Sequence, residues 1–164
     1  MPAHHRSATL EFQGGMRFVA TTGSKRTIVF GDHPGENELS PVETVTASLA
    51  ACTAMDVISI AAKKRQTIDR YVVRVEAIQR DDYPQVLTRV DIVHEVEGSD
   101  VQEAAMRRAI ELSALKYCPV SAMLSAGATE VHHRYKVRGT GPNAFEAEGE
   151  VVVTGPFRAP DVVP

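Results

Sequence analysis

Apolar and polar positions change period along the chain, and each change marks an element. Leu10-Glu11-Phe12 alternates as a short strand, and Gly14-Gly15 ends it. Phe18 to Ala20 and Ile28 to Phe30 pattern as paired strands around the turn Gly23-Ser24-Lys25-Arg26. After a loop from Gly31 to Leu39, the pattern lengthens to a helical period. Ser40 can cap, Pro41 suits the first helical position, and Glu43 completes an S-x-x-E capping box. This helix is expected to run to about Lys64, where Lys63, Lys64 and Arg65 face the negative end of its dipole. Val45, Leu49, Cys52 and Ile60 lie on or near one stripe, and only Glu43 and Asp56 are charged between positions 42 and 62, so the helix is expected to be central and mostly buried.

The period then returns to two. Tyr71, Val73, Val75 and Ala77 alternate with Val72, Arg74 and Glu76, and Asp81-Asp82-Tyr83-Pro84 turns the chain. Val86 to Val96 predicts a long strand with Val90, Ile92, His94 and Val96 on one face. Ser99 and Gln102 read as a second capping box, opening a helix to about Lys116 with Ala105, Ala109, Leu112 and Leu115 inward. Pro119 breaks that helix just after Cys118. A short helical turn over Val120 to Leu124 and a strand over Thr129 to Val137 follow. From Gly139 to Pro164 the chain is rich in Gly and Pro, with one strand-like run, Val151 to Thr154. The order β-β-β-α-β-β-α-β predicts an α+β fold with few parallel crossovers. A helix so apolar beside so little sheet points to packing against a second subunit.

Length and composition narrow the setting. The chain has 164 residues, enough for one domain with its own core. Hydrophobic residues at 43% and charged residues at 24% exclude long disorder. A net charge of −3 encodes no pull toward nucleic acid or anionic membrane. No apolar run reaches the ~18 residues of a spanning helix, and the polar start Met1-Pro2-Ala3-His4-His5-Arg6 is unlike a secretory signal. A cytoplasmic enzyme or binding protein is the expectation.

Two cysteines carry the candidate chemistry, and they sit on different helices. Cys52 lies within Leu49-Ala50-Ala51-Cys52-Thr53-Ala54-Met55-Asp56, and Cys118 lies at the break Lys116-Tyr117-Cys118-Pro119-Val120-Ser121. Neither belongs to a CxxC motif. They read either as small buried hydrophobes or as a redox pair, in which one thiolate attacks an oxidant and the other resolves the sulfenic acid.

Ser40-Pro41-Val42-Glu43, the run Ala47 to Val57 around Cys52, and the segment around Cys118 together resemble the OsmC/Ohr family of osmotically induced and organic hydroperoxide resistance proteins. The sequence separation of the two cysteines also resembles the family's. The likeness spans about residues 16 to 137 and sets the expected domain as 1–137, with 138–164 a C-terminal appendage. The resemblance implies curved antiparallel sheets and two long helices packed at an intertwined homodimer interface, with active sites between subunits. It implies a peroxidase with no cofactor and no metal, acting on organic hydroperoxides and recycled by an external dithiol. Cys52 would attack and Cys118 would resolve.

The chain departs from the family in one respect. Well-characterised members carry a carboxylate directly after the proline, where it helps hold an arginine near the thiolate; here that residue is Val42, and the acid falls one position later at Glu43. Nine residues before Cys52, Glu43 lies on the opposite face of an ideal helix and roughly 13 Å along its axis, so it cannot assist its own chain's Cys52. Its capping role explains it, with support of the site as the alternative. Asp56, four residues after Cys52, works against a thiolate there. The resemblance places an activating arginine on the N-terminal hairpin; Arg26 is the nearest counterpart and Arg17 the reserve, and a guanidinium suits the task because it stays charged when desolvated.

Other groups are weaker candidates. His132 and His133 face opposite sides of a strand and cannot share a metal. His33 and His94 stand alone, and Glu36 and Glu38 are loop acids that could substitute for the missing carboxylate. Leu49, Met55 and Met123 are the expected apolar surroundings of the thiols. The alternative to a peroxidase is a non-enzymatic OsmC-like dimer that binds a small apolar ligand or partner.

Overall fold

The alternation near the N-terminus becomes a three-stranded antiparallel sheet in the order β1-β2-β3, with β1 at Ala8–Gly14, β2 at Arg17–Thr22 and β3 at Thr27–Phe30. Phe18 pairs with Phe12 on one side and with Phe30 on the other. The turn into β2 uses Gly14 and Gly15 at positive φ, a conformation that glycine adopts without steric cost. These strands belong to the first of two compact units, Met1–Val45 and Thr46–Pro164, in a computed structural model that describes residues 5–32 and 37–156. The expectations for His33 and Glu36 lie outside the described residues. Ala20 is buried in this first sheet, whereas Leu10, Phe12 and Met16 are exposed.

The helix α1 (Pro41–Lys63) starts where its sequence signals put it. The Ser40 N–H donates to Glu43 Oε2 at 3.0 Å, and the Glu43 N–H donates to Ser40 Oγ at 3.4 Å, the two halves of a capping box. Glu43 therefore acts as the cap acid. From Thr46 onward α1 belongs to the second unit. Its buried stripe is Leu49, Thr53, Val57 and Ala61, a strict four-residue spacing, while Met55 and Ile58 are exposed. The expectation of a mostly buried helix is thus corrected: one face is buried and much of the rest stays open. The reading of no membrane-length apolar segment also needs correction. Over 18 residues, α1 has a mean hydropathy of 1.7, and it is long and apolar enough to cross a membrane by length and composition. Scattered Thr and Ser residues break its apolar runs without making it polar overall.

The second unit is built on a four-stranded sheet in the order β4-β5-β6-β7, with β4 at Arg70–Gln79, β5 at Leu87–Gly98, β6 at Glu130–Gly139 and β7 at Phe145–Thr154. The pair β5·β6 is parallel and the other pairs are antiparallel. Parallel pairing needs a crossover, supplied by α2 (Glu103–Leu112), a π-helical turn (Ser113–Tyr117) and α3 (Pro119–Ser125). Val90, Ile92, His94 and Val96 of β5 are buried on one face, as their alternation predicts. The core joins Val57 and Ala61 of α1 to Met106, Ala109 and Ile110 of α2 and to Val96, Tyr135 and Val137 of the sheet.

Three sequence expectations are corrected in this unit. The reading of 138–164 as an appendage fails for β7, which pairs along β6 from Gly139↔Phe145 to Val131↔Thr154. The Ser99–Gln102 capping box does not form. Gln102 is itself the N-cap, and acceptors from the α1–β4 connection take the free donors: Gln66 Oε1 from the Gln102 N–H at 2.7 Å and Asp69 Oδ2 from the Ser99 N–H at 2.9 Å. The inward stripe of α2 is Met106, Ala109 and Ile110, continued by Ser113 and Ala114 of the π turn, and Ala105, Leu112 and Leu115 are half-buried.

Candidate functional site

Cys52 and Asp56 stand one turn apart on α1, so their side chains share a face. Cys118 comes from the far side of the crossover. The π turn widens the helix by one residue, and the Cys118 N–H donates to Ser113 O at 2.9 Å, a five-residue span. Pro119 lacks an N–H and cannot continue that ladder; it opens α3 instead and holds Cys118 extended at φ −74°, ψ 104°. The break expected at Pro119 therefore turns the Cys118 side chain back toward α1. Cys52 Sγ, Cys118 Sγ and one Asp56 carboxylate oxygen all lie within 4.8 Å of one another.

A short polar chain fixes the carboxylate. Ser113 Oγ donates to Asp56 Oδ2 at 3.0 Å. Ser113 has only that proton to give, so the 3.0 Å contact with Thr53 is made by Thr53 Oγ1–H donating to Ser113 Oγ. Thr53 and Ser113 are both fully buried. On the other side, the Ser121 N–H donates to Cys118 Sγ at 3.4 Å, and Ser121 Oγ lies 3.4 Å from His133 Nε2 on β6.

The two thiols differ in environment. Cys118 is buried and Cys52 is half-buried. Burial pushes the Cys118 thiol up to about 12, and its hydrogen bond with Cys52 pushes the same way against the opposing Ser121 N–H. Cys118 is thus a neutral S–H at neutral pH. The histidines beneath are also neutral. Burial brings His94 down to about 3, with His133 adding to the effect, and burial with His132 nearby brings His133 down to about 4. His94 Nδ1 lies 2.7 Å from the Tyr71 hydroxyl, whose own ionisation burial pushes well above the ordinary value.

The remaining sequence candidates fall elsewhere. Arg17 donates to Glu38 in the first unit, so the reserve cation is held by one of the loop acids named as a substitute carboxylate. Arg26 sits at the β2–β3 turn, where its backbone N–H donates to Thr22 Oγ1 at 3.2 Å; among the described residues its guanidinium has no ion pair. His132 faces the opposite side of β6 from His133 and contacts Glu130 and Glu150. Met55 and Met123 are exposed, whereas Leu49 is fully buried. Sequence reasoning missed Thr53, Ser113 and Ser121. For Ser113 a signal existed, a polar residue at an inward position of an apolar stripe.

A family model described as OsmC-like protein matches residues 33–134. Protein YhfA of Escherichia coli K12 is 33% identical over 130 residues, covering 79% of this chain and 96% of that relative. Among solved structures, a hypothetical protein from Aquifex aeolicus superposes with a TM-score of 0.75 at 25% identity, covering 84% of this chain and 98% of its own. An organic hydroperoxide resistance protein from Elizabethkingia anophelis, with thiocyanate bound, shares the fold at a TM-score of 0.64 and 15% identity, covering 85% and 99%.

Proposed function

The chain belongs to the OsmC-like family, and on that premise we propose that it is a thiol-dependent peroxidase that reduces organic hydroperoxides through Cys52 and Cys118. One observation carries the reading: an accessible and a buried thiol from separate helices lie within 4.8 Å of each other. Two cysteines buried only for their size have no reason to meet.

The half-buried Cys52 is the attacking group. Its thiolate takes the terminal, hydrogen-bearing oxygen of R–O–OH, the O–O bond breaks, and the alkoxide leaves as ROH with a proton from solvent, giving a sulfenic acid on Cys52. Cys118 then attacks that sulfur. The Cys118 proton and the sulfenic hydroxyl leave as water, and a Cys52–Cys118 disulfide remains. An external dithiol returns both thiols by exchange. Keeping Cys118 protonated until the sulfenic acid forms suits the resolving role, since a second thiolate beside Cys52 and Asp56 would oppose ionisation of the first. Arg26 is the first candidate for the cation that favours the Cys52 thiolate and Arg17 the second.

We place the protein in the cytoplasm, where thiols are kept reduced, and as a homodimer. The exposed Met55 and Ile58 of α1 give a face that a second copy would cover. Sedimentation at micromolar concentration is expected to give a dimer; a stable folded monomer would contradict that part of the reading. The alternative, a dimer that binds an apolar ligand, finds little support in the groove of about 500 Å³ over the four-stranded sheet. Arg70, Glu95, Glu97, Lys136, Arg138 and Glu146 line it, a charged surface.

The direct test of function is turnover. With a dithiol such as dihydrolipoamide, the protein is expected to consume cumene hydroperoxide repeatedly, and faster than hydrogen peroxide. No turnover of either peroxide would favour the binding reading.

A further inference from the structure

We propose that the reduced protein binds one Zn²⁺ ion per chain through Cys52 Sγ, Cys118 Sγ and the Asp56 carboxylate. The three groups already converge within 4.8 Å. Tetrahedral zinc, with bonds of ~2.3 Å to sulfur and ~2.1 Å to oxygen, needs its ligands roughly 3.5–3.8 Å apart, so closure asks for a shift of about an ångström in two side chains. Two sulfurs and one oxygen suit zinc and exclude magnesium, which demands an oxygen shell. The half-buried Cys52 leaves the fourth position to water.

The surroundings are those of a ligand set rather than of a thiol pair alone. Asp56 does nothing for a peroxidase whose nucleophile is an anion, yet the Thr53–Ser113–Asp56 chain of hydrogen bonds fixes its carboxylate toward the sulfurs. The Ser121 N–H fixes Cys118 Sγ in the same way. Such outer contacts orient metal ligands and raise affinity. Coordination breaks the Cys118 S–H bond and that of any Cys52 still protonated, forms two Zn–S bonds and one Zn–O bond, and releases one proton to solvent for each S–H broken, with no electron transferred. The ion and the disulfide exclude each other, because both use the same sulfur lone pairs. Bound zinc would hold the thiols reduced and unreactive until it is removed. The ligands come from α1 and from the crossover, so no local ligand spacing in the sequence announces the site.

The test titrates the reduced, metal-free full chain with Zn²⁺ and with Co²⁺ as a spectroscopic probe. Expected are one ion per chain, a sulfur-to-cobalt charge-transfer band, release of the Cys118 proton on binding, and loss of thiol alkylation at both cysteines. Cys52→Ser or Cys118→Ser should abolish the band, and Asp56→Asn should weaken zinc binding at least ~10-fold. The wild-type disulfide form, which keeps Asp56, should not bind. Binding that survives in the disulfide form or in Cys52→Ser, binding unchanged in Asp56→Asn, or no binding at micromolar zinc would each overturn the proposal. Zinc binding to reduced thiols requires no peroxide chemistry. A protein that binds zinc but is inert to peroxide would refute only the peroxidase reading, and the converse would refute only the zinc site.

Discussion

Cys52→Ser is expected to abolish turnover of cumene hydroperoxide, a loss of at least ~10³-fold, because Cys118, the other thiol of the site, is buried and held protonated. Cys118→Ser is expected to behave differently. It should lose repeated turnover, reacting with one equivalent of peroxide per chain to hold a sulfenic acid and taking up further equivalents only as that sulfur over-oxidises, since the neighbour that resolves the intermediate is gone. Arg26→Met and Arg17→Met separate the two cation candidates: the one that supports the thiolate should slow alkylation of Cys52 near neutral pH with the fold intact. Equal peroxide consumption by Cys52→Ser and wild type would end the peroxidase account. Alkylation unchanged in both arginine variants would remove the guanidinium from it.

The second large effect is on stability. His94 and His133 are buried and held neutral, with values of about 3 and about 4 in the folded protein. An unfolded chain protonates them near ~6.5, so below that pH the unfolded state binds more protons than the folded one, and stability falls as pH falls. Their contribution is complete above pH ~7 and is lost progressively down to the folded values. At pH 5 each histidine costs about 2 kcal/mol relative to neutral pH. Together they should lower the melting temperature by roughly 10 °C between pH 7.5 and pH 5. Asp91, Glu95 and Glu150 are held below the usual carboxylate range by Arg89, Arg74 and His132 respectively, so their loss falls below this window. His94→Gln or His133→Gln should each remove about half of the pH dependence. A melting temperature that is flat between pH 7.5 and pH 5 would contradict the burial of neutral histidines.

How far the sequence carried the structure differs by element. The capping box at Ser40 and Glu43 was legible because its two partners are local, and it formed. The buried face of β5 was legible because its alternation is clean. The Cys118 break was legible because proline cannot continue a helix. The π turn before it was not, since one extra residue in a helical turn leaves no mark on composition. The Ser99–Gln102 box failed because tertiary acceptors, Gln66 and Asp69, outcompeted a local one. Of strand β7 only the run Val151 to Thr154 was legible, because Gly149 interrupts the alternation and glycine-rich turns flank the strand, although Glu146, Glu148 and Glu150 already mark one face. The meeting of Cys52 with Cys118 could come only from the resemblance, because it depends on how two helices pack. The Thr53–Ser113–Asp56 chain was out of reach for the same reason.

Brief treatment of the reduced protein with one equivalent of cumene hydroperoxide, followed by intact mass and peptide mapping, separates a working thiol pair from two inert cysteines. Each chain is expected to lose two hydrogens, with the new bond mapping to Cys52 and Cys118 of one subunit. Recovery of both thiols in the reduced form, or scattered oxidation of whichever sulfur is exposed, would contradict it.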